Sequence, residues 1–580
     1  MPVGLLSLTD DSLLAITELI SPEDARRLMA VCRDLLPMAK RRSCSEVILA
    51  NRTTTPDHTI KAFMYMLEDV QDRLRWLRFL AVGETALGHY DLPLLAHRPE
   101  HLPMPNLAAR VDRDGLRLFA DLLSATSCLR NLSIETPLES LLPLDARLRS
   151  ALTGLSHLTH FALKDVGPLS LETIMQMRTR LQTLSVCDED FSLHTLPLLN
   201  FRNTSLSTVR TLRLSASSSR LFPSGLVDSI FLQRHVEAPS QWTSVHHLSL
   251  TYINIPSLAS LARVFPNLSS LQLFHCRLGG DTKAADSIAM WTSLRVFDAA
   301  GSRFLNTCWP STCHVHCLHL DLQEPLYRHE GTPLNVADVE NASPVIFSLS
   351  NLVFLGNWTP LLKWCGVPVA SLPRLRCFQL TMDYTTQSCQ GLVGFLDSIA
   401  DTLAAAARLV MIQVCLKDIH MQTWDIGRVQ PSLDRLANSI PPLRYLSLGI
   451  GRGSSRRLDD DATFVGKVWW WRCKEAGNGV RVLKALETHA GQRLFEQQCA
   501  PEWNFDSDDY ALLSTGQSGR DEQDVLPAHH YFHASFIDDP AIALTLVFDH
   551  RLYDRNGPLP CALRSSQSAL VESSYRADNS

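Results

Sequence analysis

Closely spaced cysteines and histidines are the first residues in this chain whose types suggest chemistry. Cys313-His-Val-His-Cys317, with His319 two residues later, offers soft ligands for a metal ion. The sequence contains no second cluster with the spacing of a zinc finger, and Cys317 and His319 also fit as neighbours on one face of a β-strand. We therefore predict that these residues have a structural role and that the chain binds no metal or other cofactor.

Two other patterns are incomplete versions of catalytic motifs. His529, His530 and His533 include a pair one helical turn apart, but the glutamate of the metalloprotease motif H-E-x-x-H is absent. Gly449-Ile-Gly-Arg-Gly453 completes neither glycine-rich phosphate-binding motif, G-x-G-x-x-G or G-x-x-x-x-G-K-[ST]. We predict that the chain is not an enzyme. The alternative is an enzyme whose site lies in residues 451–580, and it would need polar residues gathered in a pocket there.

A recurring phrase, L-x-x-L-x-L, indicates the elements that must position any site. Five copies keep the pattern closely and begin at Leu129, Leu181, Val245, Leu268 and Leu443. Looser copies begin at Leu158, Val209, Leu294, Val315, Leu352, Leu375 and Leu409, and a degenerate first copy begins at Leu74. Copies at intervals of roughly 20–50 residues indicate a stacked array, and this phrase is typical of the strand in a leucine-rich repeat. We predict an α/β solenoid with a parallel sheet on its concave face and helices on its convex face.

Apolar periodicity predicts further elements around these copies. The predicted helices are Thr59–Phe79, Asp112–Leu123, Leu169–Met177, Ile255–Val264, Val393–Ala407 and Thr463–Ala490, the last containing Trp469-Trp-Trp471. Short strands are predicted at Val47–Leu49 and Ala541–Phe548.

The first 45 residues predict compact helices. One of the polar residues 9–11 can cap a first helix whose apolar stripe contains Leu13, Ile16 and Leu19. Ser21-Pro-Glu-Asp24 predicts the start of a second helix, with serine at the N-cap and proline in the first turn.

These helices also follow a known pattern. Leu8-Thr-Asp-Asp-Ser-Leu-Leu-Ala-Ile16 matches a leucine, an acidic position and an apolar helix, and Ser21-Pro-Glu-Asp-Ala-Arg-Arg-Leu-Met-Ala-Val-Cys-Arg-Asp-Leu35 matches S-P-E-D-L-x-x-L-x-x-V-C-[KR]-x-[LFW]. The segment resembles an F-box, from which it departs at Thr9, Ala25 and Leu35, where proline, leucine and an aromatic residue are usual. An F-box followed by leucine-rich repeats resembles the architecture of the F-box/leucine-rich-repeat family.

The resemblance implies a substrate-recognition subunit of an SCF-type (cullin–RING) ubiquitin ligase. Its partners would be a Skp-type adaptor, the cullin and an unknown target protein. The residues implied to contact the adaptor are Leu8, Leu13, Ile16, Pro22, Leu28 and Val31. The alternative is that these helices only cover the first apolar face of the array, and that the chain is a scaffold independent of any ligase.

The chain divides into five predicted regions. These are an F-box-like helical domain (1–45), a transition with a degenerate repeat (46–110), the leucine-rich repeats (111–450), a C-terminal capping region (451–564) and a disordered tail (565–580).

Between the leucines of each phrase, alternate side chains should line the concave surface. The predicted contacts with the target are Phe274, His319, Phe354, Trp358, Gln379 and Tyr445, because outward-facing aromatic and polar residues are typical of binding hot spots. The alternative is that loops or the C-terminal tail cover these rings.

Composition narrows the class of partner. The formal net charge of −6 argues against a nucleic-acid partner, since phosphate binding needs concentrated lysine and arginine. The N-terminus lacks a basic segment followed by an apolar one, and the longest apolar stretch, 403–416, is too short for a membrane span. We predict a cytoplasmic or nuclear protein whose fifteen cysteines are reduced.

Overall fold

The structure is a computed structural model. It describes residues 8–31, 33–49, 55–83, 85–88, 111–164, 166–188, 206–216, 241–251, 253–255, 257–274, 276–278, 291–300, 309, 311–321, 336–353, 369, 371–383, 389–417, 426–452, 465–476 and 479–498. The predicted strand Ala541–Phe548, the tail 565–580 and the histidines at 529, 530 and 533 lie outside these residues.

Most described strands belong to a single sheet. The strands are β1 (Glu46–Leu49), β2 (Phe79–Val82), β3 (Asn131–Ile134), β4 (His160–Lys164), β5 (Thr183–Asp188), β6 (Thr211–Ala216), β7 (His247–Thr251), β8 (Asn254–Ile255), β9 (Ser270–Phe274), β10 (Arg277–Leu278), β11 (Ser293–Ala300), β12 (His314–Asp321), β13 (Ile346–Val353), β14 (Cys377–Asp383), β15 (Met411–Lys417), β16 (Tyr445–Arg452), β17 (Val465–Glu475) and β18 (Arg481–Leu486). Within the described residues, all but β8 and β10 form one sixteen-stranded sheet in chain order. Neighbours pair in parallel up to β16, whereas β16–β17 and β17–β18 are antiparallel. The predicted α/β class with a long parallel sheet is confirmed, and the arrangement is compatible with a solenoid.

The phrase sets the register of the sheet. We number its residues 1 to 6, so that the apolar residues occupy positions 1, 4 and 6, and the residue that follows is position 7. Position 4 lies opposite position 4 in each neighbour, as in Leu80, Leu132, Phe161 and Leu184. Because successive side chains of a strand point to opposite faces, positions 4 and 6 share one face, the leucine face, and positions 3, 5 and 7 share the other, the second face.

Helices cover the leucine face. The helices are α1 (Asp10–Leu19), α2 (Pro22–Val31), α3 (Leu36–Cys44), α4 (Pro56–Leu67), α5 (Arg113–Ala125), α6 (Leu138–Leu141), α7 (Ala146–Gly154), α8 (Pro168–Gln176), α9 (Leu258–Val264), α10 (Val336–Ala342), α11 (Cys389–Leu403), α12 (Gln430–Ser439) and α13 (Thr488–Gln498). The apolar sides of α4 to α12 and the leucine face form one continuous core that begins at Cys44. Within it Phe63 of α4 stacks on Phe119 of α5, with ring centroids 5.7 Å apart. Burying each such side chain contributes about 1.5–3 kcal/mol, so the core holds the helices to the sheet.

The N-terminal helices form a smaller unit joined to the array. The Ser12 N–H donates to Thr9 Oγ1 at the start of α1, and the Asp24 N–H donates to Ser21 Oγ at the start of α2, as the sequence predicts. The buried apolar side chains of this unit before Cys44 are Leu13, Ala25, Leu35 and Ala39, and they lie outside the continuous core. Helix α3 runs directly into β1, so the unit is fixed to the first strand of the sheet.

The predicted helix Thr463–Ala490 is wrong. This stretch forms the antiparallel strands β17 and β18, and only α13, from Thr488, is helical. In β17 alternate rings point to opposite faces: Trp469 and Trp471 pack against the core on the leucine face, whereas Trp470 joins a cluster on the second face. Adjacent tryptophans fit a strand that is buried on both faces, because successive side chains of a strand point to opposite faces. A short apolar run fits a buried helix equally well, so its periodicity does not distinguish the two.

Two phrase assignments are wrong by a few residues. Leu80 pairs with Leu132, so the copy that begins β2 starts at Leu77, and Leu74–Trp76 forms a 3₁₀ turn. Phe347 pairs with Phe378, so the copy in β13 starts at Pro344 and not at Leu352. Extra leucines spaced by three residues make the phrase ambiguous in the sequence, and the pairing with neighbouring strands selects one register.

The other predicted helices agree with the structure to within a few residues, except the first. Helices α5, α8, α9 and α11 correspond to the predictions, and Asp112 caps α5 by accepting from the N–H groups of Asp114 and Gly115. The predicted helix Thr59–Phe79 ends at Leu67, because the chain must turn before it enters β2.

Candidate functional site

The N-terminal unit exposes only part of the set implied to contact an adaptor. Leu8 and Ile16 are 36% and 40% exposed, and Pro22 and Leu28 are half-buried. Leu13 is only 6% exposed, so its side chain packs inside the unit and cannot make the implied contact. Val31 is the last residue of α2, and its side chain lies outside the described part of the chain.

Two apolar side chains extend the exposed set. Leu19 at the end of α1 is 87% exposed, and Leu36 at the start of α3 is 42% exposed. Sequence reasoning placed Leu19 on the apolar stripe of α1 but did not assign a function to it. Exposed leucines on a small helical unit are typical of surfaces that bind another protein.

Two of the predicted target-contact residues are half-buried on the second face, and two lie outside the described residues. Phe274, at position 7 of β9, and His319, at position 5 of β12, are half-buried. His319 Nδ1 lies 2.9 Å from Ser348 Oγ and its Nε2 lies 3.0 Å from Ser350 Oγ, so the neighbouring strand β13 fixes the ring. Phe354 and Trp358 lie outside the described residues.

Gln379 and Tyr445 are buried, which corrects their assignment as target contacts. Tyr445 is 5% exposed and belongs to a cluster on the second face with Trp470 of β17 and Leu494 and Phe495 of α13. Gln379, at position 5 of β14, is 6% exposed. The C-terminal strands and helix thus close this end of the second face. For the ring of Tyr445, this agrees with the alternative that a C-terminal segment covers it.

The N-terminal end of the second face carries an open groove. It has a volume of about 660 Å³ and lies between α1 and α3 on one side and the beginnings of β1 to β5 on the other. Its lining combines apolar side chains, among them Leu14, Ile48 and Phe79, with four arginines. The arginines are Arg41, Arg42, Arg78 and Arg130.

Charges in the groove are only partly balanced. Arg41 lies 3.0 Å and Arg78 3.8 Å from the same carboxylate, Glu18 Oε1, and Arg42 lies 2.5 Å from Glu46 Oε1. Four arginines against two glutamates give the lining a formal charge of +2. Arg130 is exposed, and no carboxylate of the described residues lies within ion-pair distance of it.

An aromatic ring helps to hold basic side chains in place. The guanidinium groups of Arg41 and Arg75 both lie over the Trp76 ring, with Arg41 Cζ 4.4 Å and Arg75 Cζ 4.3 Å from its centroid. Burial, aided by Arg213, lowers the pKa of His160 below its usual value, so this histidine is neutral at neutral pH. The positive charge of the groove therefore comes from arginine.

Arg78 and Arg130 of the groove belong to a longer row of basic residues, which runs along the end of the sheet where the parallel strands begin. Position 2 of each phrase lies just before its strand or within the first three residues of it. In the fourteen phrases of β1 to β16 it holds no aspartate or glutamate in the described chain. The residues are Ser45, Arg78, Arg130, Thr159, Gln182, Arg210, His246, Ser269, Arg295, His316, Val345, Arg376, Val410 and Arg444. Backbone hydrogen bonds join neighbours in the row: the Arg130 N–H donates to the Arg78 carbonyl at 2.9 Å and the Thr159 N–H to the Arg130 carbonyl at 2.8 Å.

Sequence reasoning missed the groove for a specific reason. The residues between the leucines of any single phrase form no dense arginine cluster. Lys40-Arg-Arg42 fits the C-terminus of a helix, where basic side chains are favourable, and so suggests no binding site by itself. Aligning position 2 of every phrase would have revealed the basic row, but only the fold brings α3 against Arg78 and Arg130.

Two buried cysteines of the array are unsuited to nucleophilic chemistry. Burial raises the pKa of Cys313 and of Cys276 to about 12, so both thiols stay protonated at neutral pH. Cys313 lies on the leucine face and Cys317 is half-buried beside His319 in β12. Among the residues that the structure describes, no group of three or more His, Cys, Asp or Glu side chains is arranged to hold a metal ion.

Comparison with known proteins adds no assignment. No protein-family model matches the chain, and no curated protein matches its sequence. A search of the described helices finds none with the length and apolar character needed to cross a bilayer.

Proposed function

We propose that the chain is a substrate-recruiting subunit of an SCF-type ubiquitin ligase. Its N-terminal unit would act as an F-box that docks on a Skp-type adaptor, and its array would act as a set of leucine-rich repeats that hold the target. The chain itself would carry out no catalysis. It would raise the effective concentration of the target's lysines near the partner enzyme.

The observation that carries the proposal is the exposed apolar surface of the N-terminal unit. Ile16 and Leu19 lie one turn apart on α1 and are 40% and 87% exposed, and Leu36 on α3 is 42% exposed. A helix that served only to cap the array would turn its apolar side chains toward the array. Here the unit's own buried residues remain apart from the continuous core.

The alternative, a scaffold independent of any ligase, draws on a different observation. Helix α3 continues into β1, and its residue Cys44 belongs to the core of the array. These features fit a cap. They leave Leu19 exposed, which a cap does not require.

The discriminating experiment is co-purification of the full chain with a Skp-type adaptor. We expect the intact chain to retain the adaptor and the double substitution Ile16→Asp, Leu19→Asp to lose it, since docking would bury the new charges without partners. Val482→Asp on β18 is the control, because Val482 is an exposed apolar residue (48%, against 40% for Ile16) at the far end of the sheet. Absence of the adaptor from the intact chain, or equal retention by both variants, would favour the scaffold.

A further inference from the structure

We propose that the groove between α1, α3 and the beginnings of β1 to β5 binds an acidic peptide segment of the recruited protein. An anionic side chain would lie between Arg78 and Arg130, and a neighbouring apolar side chain would lie against Ile48 and Phe79. The inference adds to the proposed function. It rests on that function in one respect, which is that the segment belongs to a recruited target.

The pairing of Arg78 with Arg130 is the first argument. The two residues occupy position 2 of adjacent strands and are joined by a backbone hydrogen bond of 2.9 Å. Adjacent strands lie about 4.8 Å apart, so the two side chains start close together, and like charges opposite each other in a sheet are destabilising. Glu18 reaches Arg78 only at 3.8 Å, and Arg130 is exposed without a carboxylate among the described residues. An external anion between the two guanidinium groups would relieve this repulsion.

The fixed position of Arg41 is the second argument. Its guanidinium group stacks on Trp76 at 4.4 Å and bonds Glu18 at 3.0 Å, and its side chain is only 25% exposed. An arginine held in this way loses little conformational entropy when it binds an anion, which favours recognition over nonspecific attraction. The opposite wall of the groove supplies the adjacent apolar contact, with Ile48 36% exposed and Phe79 half-buried.

The chemistry of the groove favours a peptide over a nucleic acid. Apolar side chains and two glutamates line it together with the arginines, and both glutamates would repel a continuous phosphate backbone. An acidic peptide has separated charges with apolar residues between them, and this spacing matches the lining. A carboxylate and a phosphorylated side chain present the same anionic chemistry to Arg78 and Arg130.

The test measures binding of fluorescein-labelled peptides to the purified full chain by fluorescence anisotropy. One peptide repeats Asp-Glu-Leu-Gly, a second carries Asn and Gln in place of Asp and Glu, and a third carries phosphoserine in place of Asp. We expect the first or the third to bind, with an affinity that falls as salt is added, and the second not to bind. Tighter binding of the third would identify a phosphorylated segment as the ligand, and equal binding an acidic one.

Substitutions locate the binding within the groove. Arg130→Gln should weaken the peptide at least about tenfold, as expected for loss of a charge-assisted hydrogen bond. Arg210→Gln is the matched control: Arg210 is an exposed position-2 arginine with the same backbone bonding, to Gln182 at 2.8 Å, but it does not line the groove. Glu18→Gln should tighten binding about two- to fivefold, because it removes the internal competitor for Arg41 and Arg78.

These outcomes separate the inference from the proposed function. Equal effects of Arg130→Gln and Arg210→Gln, binding of the neutral peptide, or displacement of the acidic peptide by an equal concentration of single-stranded oligonucleotide would each overturn the inference. If the groove acts as inferred, Arg130→Gln keeps the adaptor and loses the peptide, whereas Ile16→Asp, Leu19→Asp loses the adaptor and keeps the peptide. A chain that binds the peptide but never an adaptor would overturn the ligase proposal alone.

Discussion

Replacing Gly491 with alanine tests whether α13 closes the C-terminal end of the second face. A methyl group at this position would overlap Cγ, Cδ1 and Cδ2 of Trp470, whose side chain is only 1% exposed. Overpacking of this kind costs about 1–3 kcal/mol, and alanine recovers about 1 kcal/mol of helix propensity. The overlapping ring is buried and cannot move aside, so we take the upper part of the overpacking range, about 2–3 kcal/mol, and expect a net loss of about 1–2 kcal/mol. This loss falls on the docking of α13 and leaves the core on the leucine face intact.

The assay is the rate at which iodoacetamide labels Cys377 in the native protein. Cys377 is completely buried in the cluster that contains Leu494 and Phe495, so labelling requires that α13 open. A loss of about 1.4 kcal/mol makes such local opening, and hence labelling, about tenfold faster. Cys276, in the core on the leucine face, is an internal control in the same molecules.

A second glycine supplies the matched substitution. Gly154 ends α7, and a methyl group there meets nothing within 4 Å. Gly154→Ala should leave the labelling of Cys377 unchanged and raise the free energy of unfolding by about 0.4–1 kcal/mol. Unchanged labelling of Cys377 in Gly491→Ala, or equal acceleration at Cys377 and Cys276, would refute the packing of α13 on this face.

Two further predictions concern carboxylates near the N-terminal end of the sheet. Burial raises the pKa of Glu135 to about 7 from 4.5, so the native state retains a proton that the unfolded chain releases, and stability falls as pH rises through this interval. Glu135→Gln should remove this loss, worth at most about 3 kcal/mol, and a melting temperature that falls equally in both proteins would contradict it. Glu139 accepts from the N–H groups of Leu169 and Ser170 at the start of α8. Glu139→Ala should cost about 1–2 kcal/mol in urea unfolding, and an unchanged midpoint would show that the cap is dispensable.

The parallel array could be predicted from the sequence because one phrase encodes both faces of each strand. Its apolar positions must reach a core while the residues between them point away, so each copy predicts a strand together with its orientation. The caps of α1 and α2 were predictable for a similar reason, since Thr9 and Ser21 act on backbone groups three residues away. Local pattern and local structure coincide in these elements.

The errors arise where the deciding partner is distant in the chain. Nothing near Tyr445 in the sequence shows that Leu494 and Phe495 will cover it, so its ring resembled an exposed contact. In the same way the groove needs Arg41 from a helix and Arg130 from a strand, which a search for local clusters cannot bring together. Which side chains of such a long sheet are exposed therefore depends more on the segments at its ends than on the recurring phrase.

The double reversal of chain direction at β17 and β18 affects how copies of this protein can meet. A row of parallel strands leaves an edge onto which another parallel strand can pair, and head-to-tail pairing of identical units grows into open filaments. Because β17 is antiparallel to both β16 and β18, the last strand again runs in the direction of the row, and its polarity would admit the first strand of a second molecule. Charge guards this edge instead: β18 carries the exposed Lys484, and a charged side chain on an edge strand disfavours polymerisation along the sheet.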